Sequence, residues 1–158
     1  MINEKLFGDC SPRIYLDNCC YSRQHDKKLS EDIVQDKSAV IAIKKEIINK
    51  NIELATSFML HYENSQNKNV INRNYDDFFI RNYKTIYIGV EKMEELSKKV
   101  ELITQQGIKM KDAYHIASAI LAECDFFVTV DKKLLKFVTE EIKIISLVEL
   151  AKKLEVKT

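Results

Sequence analysis

Four carboxylates in this sequence stand at the ends of predicted strands or near the starts of predicted helices. Asp17 ends the apolar run "RIYL", and Asp131 ends "FFVTV". Asp112 opens a helical pattern rich in small residues, and Glu63 lies on the second turn of another predicted helix. Hard divalent cations such as Mg²⁺ take oxygen ligands and bind through a few carboxylates together with substrate phosphate. Cations held by a cluster of these acids would stabilise the attacking and leaving oxygens when a phosphodiester bond is displaced.

Each of these acids also has an ordinary explanation when it is taken alone. A carboxylate such as Asp112 is favoured in the first turn of any helix by the helix dipole. Asp17 and Asp131 are common types of turn residue, and Glu63 alone is unremarkable. Packed together without a cation, however, the four carboxylates would repel one another and some would stay protonated. The functional interpretation therefore depends on their convergence, and convergence implies a metal.

The elements that would position these acids follow from periodicity. Strand-like runs at "RIYLD", "IELATS", "TIYIGV", "FFVTVD" and "IKIISL" alternate with helical patterns, which is typical of a parallel sheet covered on both faces. The helical patterns are "SEDIVQDKSAVIAIKKEIINK", "FMLHYENSQ", residues 70–83, "EKMEELSKKVELITQQG" ending at Gly107, "KDAYHIASAILAEC", "KKLLKFVTEE" and a C-terminal helix. Ligands in such sheets bind beyond the carboxyl ends of the strands. This rule predicts that Asp17 and Asp131 share one edge.

Bulk properties limit the class of protein. A chain of 158 residues with 46% hydrophobic composition predicts one domain over residues 1–158, with 1–12 as an N-terminal extension. The net charge of +1 gives no general field for nucleic acid, so a polyanion must be held by local patches or by bound cations. The first dozen residues contain no apolar signal region, and no apolar run reaches bilayer length, so we expect a cytoplasmic protein without a membrane partner.

Other chemistries find less support. The cysteines at positions 10, 19, 20 and 124 lack the two-residue spacing of zinc or redox motifs, so we expect reduced, structural thiols. The histidines at 25, 61 and 115 belong to different segments and form no evident nucleophile arrangement. A phosphatase of the haloacid dehalogenase type also begins with a strand ending in Asp. It needs a second Asp two positions later, where this chain has Cys19.

The acidic blocks resemble those of a known family. "RIYLDNCCYSR", "ELATSFMLHYE" and "KDAYHIASAILAECDFFVTVDKKLL" are similar to the successive blocks of the PIN-domain nucleases, which include the toxins of VapBC toxin-antitoxin pairs. The last block is the most specific, because it combines Asp, His-Ile-Ala, a small-residue helix and a closing Thr-x-Asp. The resemblance implies a three-layer α/β/α fold with a mainly parallel sheet. It also implies that Asp17, Glu63, Asp112 and Asp131 are the metal ligands and catalytic residues.

The resemblance implies further roles around the acids. Asn18 and Thr129 would position a ligand or water. His115, one turn after Asp112, is expected in the core or beside the acids, and the local positive charge of Arg23, Lys111 and Lys132 predicts contact with RNA. These basic side chains, with Lys109 and Lys133, are equally well explained as solvated surface. The implied protein is a Mg²⁺- or Mn²⁺-dependent endoribonuclease, and its implied partners are RNA, an antitoxin and a second copy of the chain. The alternative is a catalytically weak or inactive PIN-fold module that binds RNA or protein.

Overall fold

Five parallel strands form one sheet in the part of the chain that the computed structural model describes, residues 11–155. They are β1 (Arg13–Leu16), β2 (Glu53–Ser57), β3 (Lys84–Ile88), β4 (Phe126–Thr129) and β5 (Lys143–Ser146). Their order is β3-β2-β1-β4-β5, so the chain adds strands first on one side of β1 and then on the other. β1 is therefore central, and it pairs in parallel with both β2 and β4.

Helices connect these strands. Within residues 11–155 the α-helices are α1 (Asn18–Gln24), α2 (Glu31–Ile48), α3 (Phe58–Ser65), α4 (Val70–Tyr83), α5 (Met93–Thr104), α6 (Met110–Leu121), α7 (Lys132–Leu135) and α8 (Leu147–Glu155). A single 3₁₀ turn, Val90–Lys92, precedes α5. In this range no helix combines the length and the apolar character that crossing a bilayer requires. Most of the predicted N-terminal extension, and Cys10 within it, lies outside the described residues.

The strands are buried on both faces, which explains their nearly continuous apolar runs. Ile14 and Leu16 of β1 pack into one cluster with apolar residues of α1, α2 and α8. Tyr15, which points to the opposite face of the same strand, packs with residues of α5 and α6. Helices therefore cover both faces of a parallel sheet, and the prediction of a three-layer α/β/α fold is confirmed.

Small side chains let α6 lie close to the sheet. Ala113, Ala117, Ser118 and Ala119 have no exposed surface, so the helix presents little bulk toward the strands. The first turn of α6 carries Asp112. Close packing of this helix fixes the position of that carboxylate relative to the strand ends.

Three local expectations differ from the structure. Residues 18–24 form a helix that periodicity did not indicate, because only Cys20 and Tyr21 of its seven residues are buried. The helix predicted over 132–141 ends at Leu135, since the chain must turn to enter β5 beside β4. The helix predicted to end at Gly107 ends at Thr104, and Gly107 adopts a φ of 93° in the turn that follows, where glycine carries no steric penalty.

β2 passes into α3 without a connecting loop. Ser57 is the last residue of β2 and Phe58 the first of α3. The Ser57 hydroxyl oxygen accepts a hydrogen bond from the Leu60 N–H at 3.2 Å, which caps the helix. This junction ties α3, and with it Glu63, directly to the sheet.

Candidate functional site

The four predicted acids line one cleft at the carboxyl edge of the sheet. Asp17 follows β1, Asp131 follows β4, Asp112 lies in the first turn of α6 and Glu63 lies on α3. The cleft has a volume of about 370 Å³. It lies at the point where the chain leaves the central strand in opposite directions, which is the usual ligand position in open parallel sheets.

Asp17 is the most buried of the four, with 5% of its surface exposed. One carboxylate oxygen accepts a hydrogen bond from Asn18 N at 2.8 Å, and the other accepts one from the Thr129 hydroxyl at 2.8 Å. Burial raises the pKa of Asp17 to about 8, and the neighbouring Cys19 adds to this, while His115 and Thr129 act against it. A buried carboxylate with this pKa favours binding a proton or a cation.

Glu63 has two partners on α6. Its Oε1 accepts a hydrogen bond from His115 Nε2 in very close contact, and its Oε2 lies 3.6 Å from the ammonium nitrogen of Lys111. Burial acts to raise the pKa of Glu63, but the hydrogen bond from His115 and the nearby charge of Lys111 lower it overall. Glu63 is therefore held as an ionised carboxylate at the cleft wall.

Behind Glu63 a chain of hydrogen bonds runs into the core. The His115 ring is fully buried, and its Nδ1 lies 2.7 Å from the Tyr15 hydroxyl. That hydroxyl lies 2.6 Å from the Ser57 hydroxyl, the group that caps α3. The chain links β1, β2, α3 and α6, so these four elements together position one carboxylate.

Asp112 and Asp131 complete the acidic wall and are more accessible. Asp112 is half-buried, and burial raises its pKa; His115 opposes this, while the charges of Asp131 and Glu63 add to it. Asp131 is exposed, and its Oδ1 caps α7 through the Lys133 N–H at 2.8 Å. Each carboxylate thus has a local structural partner or a neighbouring carboxylate within the same cleft.

The ligand atoms in the cleft are suited to binding a divalent cation. Ligand atoms of Asp17, Glu63 and His115 lie within 4.8 Å of one another, and this trio could hold a metal ion. The carboxylate oxygens of Asp112 and Asp131 line the same cleft and could extend the set. Several carboxylate oxygens suit Mg²⁺ or Mn²⁺, and one imidazole would move the preference toward transition metals.

The other residues predicted for the site differ in whether they are directed toward the acids or paired elsewhere. Asn18 lines the cleft, and Thr129 contacts Asp17 directly. Arg23 also lines the cleft, but its guanidinium pairs with Asp36 at 3.2 Å and lies 4.0 Å from Asp26. Neither pairing was predicted from the sequence.

The lysines near the cleft differ in whether they pair with one of the acids. Lys111 pairs with Glu63, at 3.6 Å, while Lys132 is exposed beside Asp131. Lys109 and Lys133 are exposed as well. Of these four lysines, Lys111 is therefore the one that forms an ion pair with an acid of the cleft.

Sequence reasoning missed two contributors to the site. Cys19 Sγ lies 3.3 Å from both Asp17 Oδ2 and Thr129 Oγ1 and accepts from Val130 N at 3.4 Å. The pKa of its thiol is lowered to about 6 by its neighbour Cys20, with Thr129 and the Val130 amide contributing and burial opposing. Cys19, Cys20 and Cys124 are all free thiols, as expected.

The second missed contributor is Tyr15. Its alternation with Ile14 and Leu16 could have shown that its hydroxyl lies on the other face of β1, beneath α6. Its hydrogen bond to His115, 100 residues away in sequence, depends on tertiary structure.

Solved structures share this architecture. VapBC2 from Rickettsia felis, solved bound to a DNA fragment from their promoter, matches with a TM-score of 0.57 and 17% identity over 85% of this chain and 98% of that chain. FitAcB from Neisseria gonorrhoeae matches with a TM-score of 0.53 and 13% identity over 85% and 97%. No family model matches the sequence, and neither does any curated protein. At these identities the likeness shows the fold, and the fold is the PIN-like fold that the sequence motifs predicted.

Proposed function

We propose that the protein is a divalent-metal-dependent endoribonuclease that hydrolyses RNA phosphodiester bonds. The observation that carries the proposal is the convergence of Asp17, Glu63, Asp112 and Asp131 on one cleft at the carboxyl edge of the sheet. A buried carboxylate whose pKa is raised to about 8, facing other carboxylates, indicates a site that requires a cation. Mg²⁺ and Mn²⁺ are the cations that such oxygen ligands favour.

Each acid has a distinct part in the proposed reaction. Asp17 and Glu63, which are anchored by Thr129 and His115 respectively, would hold the cation in place. When bound, a divalent cation neutralises the carboxylates and stabilises the negative charge that develops on the phosphate. Asp112, half-buried with a raised pKa, is suited to accept a proton from the attacking water. Water would attack the phosphorus directly, without a covalent enzyme intermediate.

RNA binding would rest on a small number of contacts. The net charge of +1 provides no general attraction for a polyanion. The exposed Lys132 borders the cleft beside Asp131, and Lys111 would become available for phosphate once a cation replaces it at Glu63. An open cleft with few basic contacts favours single-stranded or looped RNA over a rigid duplex.

The proposal extends to a toxin whose partners are an antitoxin and a second copy of the chain. The fold matches VapBC2, and the sequence motifs resemble the toxins of VapBC pairs. An antitoxin arginine among the carboxylates would compete with the cation through a charge-assisted bidentate contact. Exposed apolar side chains along α4, including Ile71, Tyr75 and Phe78, offer a surface for a protein partner.

One observation favours the alternative of a catalytically weak binding module. The ammonium group of Lys111, 3.6 Å from Glu63 Oε2, already supplies part of the positive charge that the acids require. In that case the cleft would bind RNA or protein without cutting RNA.

The decisive experiment compares two aspartates in equivalent helical positions. Asp112 lies in the first turn of α6 and Asp32 in the first turn of α2, away from the cleft. Purified wild type and Asp32→Asn should cut single-stranded RNA in Mn²⁺ and slow growth when expressed, whereas Asp112→Asn should do neither. If wild type leaves RNA uncut and growth is equal for all three proteins, the nuclease and toxin proposals fail in favour of the binding module.

A further inference from the structure

The direction of the buried hydrogen-bond chain behind Glu63 can be derived by counting protons. It begins at Ser57, which is fully buried. The Ser57 hydroxyl oxygen accepts from the Leu60 N–H at 3.2 Å, and its other partner among the described residues is the Tyr15 hydroxyl at 2.6 Å. A backbone amide cannot accept the serine proton, so that proton must be donated to Tyr15.

The next two hydrogen bonds follow in the same direction. Because Tyr15 accepts the serine proton, its own O–H is free to donate to His115 Nδ1, 2.7 Å away. That nitrogen is then the acceptor of the imidazole, and in the neutral ring the proton must lie on Nε2. Nε2–H donates to Glu63 Oε1, so every donor in the chain has an acceptor.

The opposite direction would leave two groups unsatisfied. If Tyr15 donated to Ser57, the buried serine proton would lack an acceptor. Neutral His115 would then carry its proton on Nδ1 and present a lone pair to the ionised Glu63 carboxylate. Leaving a buried polar group unsatisfied is costly, so the first direction is strongly favoured.

We infer that Tyr15 is a positioning residue for the proposed metal site, acting through His115 on Glu63. Its hydroxyl fixes the imidazole with Nε2–H toward Glu63, and its ring, stacked on Phe127 with centroids 5.6 Å apart, is itself held rigidly. This inference rests on the proposed role of Glu63 as a metal ligand. A hydrogen bond made directly to a ligating carboxylate, such as that from His115 to Glu63, commonly changes metal affinity by about 10–100-fold, and Tyr15 acts one hydrogen bond further away.

The inference also specifies the kind of metal. An imidazole that donates Nε2–H to Glu63 cannot offer the same nitrogen to a cation, although its position beside Asp17 and Glu63 would allow it. The ligands are then carboxylate oxygens alone. An all-oxygen site favours Mg²⁺ and Mn²⁺ over metals such as Zn²⁺ that prefer nitrogen.

The proton position can be measured directly. Nitrogen-15 NMR of the His115 ring distinguishes the two neutral tautomers, the doubly protonated ring and a metal-bound nitrogen. The Nε2–H tautomer is expected in the metal-free wild type and also with Mg²⁺ bound. A proton on Nδ1 alone, a doubly protonated ring, or metal bound to Nε2 would overturn the inference, and this measurement needs no variant.

Two buried tyrosines provide a matched comparison for metal binding. Tyr15 and Tyr21 are both essentially unexposed, but the Tyr21 hydroxyl has no hydrogen-bond partner among the described residues. By isothermal titration calorimetry, Tyr15→Phe should weaken Mg²⁺ and Mn²⁺ binding by up to about 10-fold, because it acts on Glu63 only through His115, whereas Tyr21→Phe should leave both affinities unchanged. A purely structural role for Tyr15 would lower thermal stability without changing metal affinity.

Two further outcomes separate this inference from the proposed function. If the wild type binds neither Mg²⁺ nor Mn²⁺, the metal site itself is refuted, and the positioning role fails with it. If the wild type binds metal and folded Tyr15→Phe binds it equally well, the positioning role alone is refuted. Should Tyr15→Phe fail to fold, the wild-type tautomer still decides the inference.

Discussion

Two regions of the molecule bury ionisable groups, and they differ in how the charge is compensated. In the cleft, Asp17 and three further carboxylates face one another and the solvent. On α2, the ammonium group of Lys44 lies 4.4 Å from the ring centroid of Phe79 and 5.2 Å from that of Tyr75. The same group donates a hydrogen bond to Gln24. Lys44 is 5% exposed, as is Asp17.

The difference shows why a shifted pKa does not by itself identify a functional site. Burial lowers the pKa of Lys44 to about 8 and raises that of Asp17 to about 8, so both environments disfavour charge. The lysine has aromatic rings, an amide and the nearby Asp76 carboxylate as partners within the fold. The acids of the cleft have few cationic partners and are open to a ligand. We therefore expect substitutions to change function in the cleft and mainly stability at Lys44.

The largest effect is expected for Asp17→Asn. Loss of this carboxylate should reduce RNA cleavage by at least about 100-fold, because even hydrogen-bond partners of metal ligands commonly contribute 10–100-fold. We expect Mn²⁺ to raise the melting temperature of wild type, since a ligand that binds the folded state stabilises it, and this rise should be absent in Asp17→Asn. Both are measurable by a cleavage assay and by thermal unfolding with and without Mn²⁺. An undiminished Mn²⁺ effect would remove Asp17 from the metal site.

Lys44→Met tests the other region, and stability is expected to increase. Methionine has similar length and no charge to desolvate, so, from the lowered pKa of Lys44, the free energy of unfolding at pH 7 should rise by about 1–3 kcal/mol. The pH dependence should change as well. In wild type the lysine pKa is lowered to about 8, so from about pH 8 to 10.5 the unfolded state binds more protons and stability increases with pH.

Lys44→Met should lose this increase between pH 8 and 10.5. Lys45→Met, at an exposed position of the same helix, is the control and should retain it. The measurement is denaturant unfolding at a series of pH values. A marked loss of stability in Lys44→Met at pH 7 would mean that contacts with the rings outweigh the desolvation of the ammonium group.

A smaller effect is expected for Lys111→Ala combined with Lys132→Ala. Removing two phosphate contacts should weaken binding to all RNA sequences alike and lower the slope of log affinity against log salt by about 1.4. Fluorescence anisotropy at several salt concentrations would measure this slope. Lys45→Ala with Lys98→Ala removes two exposed charges that do not line the cleft and should leave it unchanged. A change confined to particular RNA sequences would point instead to base recognition.

The smallest functional effect is expected for Cys19→Ser with Cys20→Ala. Serine can keep the polar contacts of Cys19 with Asp17 and Thr129, and the fully buried Cys20 fills space beside Val128. Stability should fall by roughly 1 kcal/mol through the lost volume, while metal affinity stays close to that of wild type. Calorimetric titration with Mn²⁺ would show whether this holds. Complete loss of bound metal would mean that sulfur belongs to the metal site.

The sequence predicted the strands and the convergence of the four acids on one cleft, because both leave local signals. Strands buried on both faces appear as short apolar runs, and the positions of Asp17 and Asp131 after two of these runs indicate the edge of the sheet. The short helix α1 left no comparable signal, because its stability comes from burying Cys20 and Tyr21 against other elements. Periodicity over 132–141 predicted a long helix, but the geometry of a parallel crossover limits α7 to Lys132–Leu135.

Partners that are distant in sequence could not be predicted in this way. Glu63 and His115 are 52 residues apart, and Arg23 is neutralised by Asp36 on another helix. Lys44 lies on the same face of α2 as Val40 and Ile47, so the spacing of these residues could have predicted that it is buried. Its three aromatic neighbours come from two other helices and required the fold.

The direct passage from β2 into α3 limits how this protein can be lengthened or redesigned. One residue inserted between Ser57 and Phe58 would rotate the whole of α3 by about 100° and shift it by about 1.5 Å. Glu63 would then leave the cleft although no side chain had changed. Between Leu135 and Lys143, Phe137 and Ile142 pack against the core, but the middle of the segment is free of such contacts and Val138 is 85% exposed. Peptide tags, linkers or inserted domains therefore belong there, while the β2–α3 junction must keep its length.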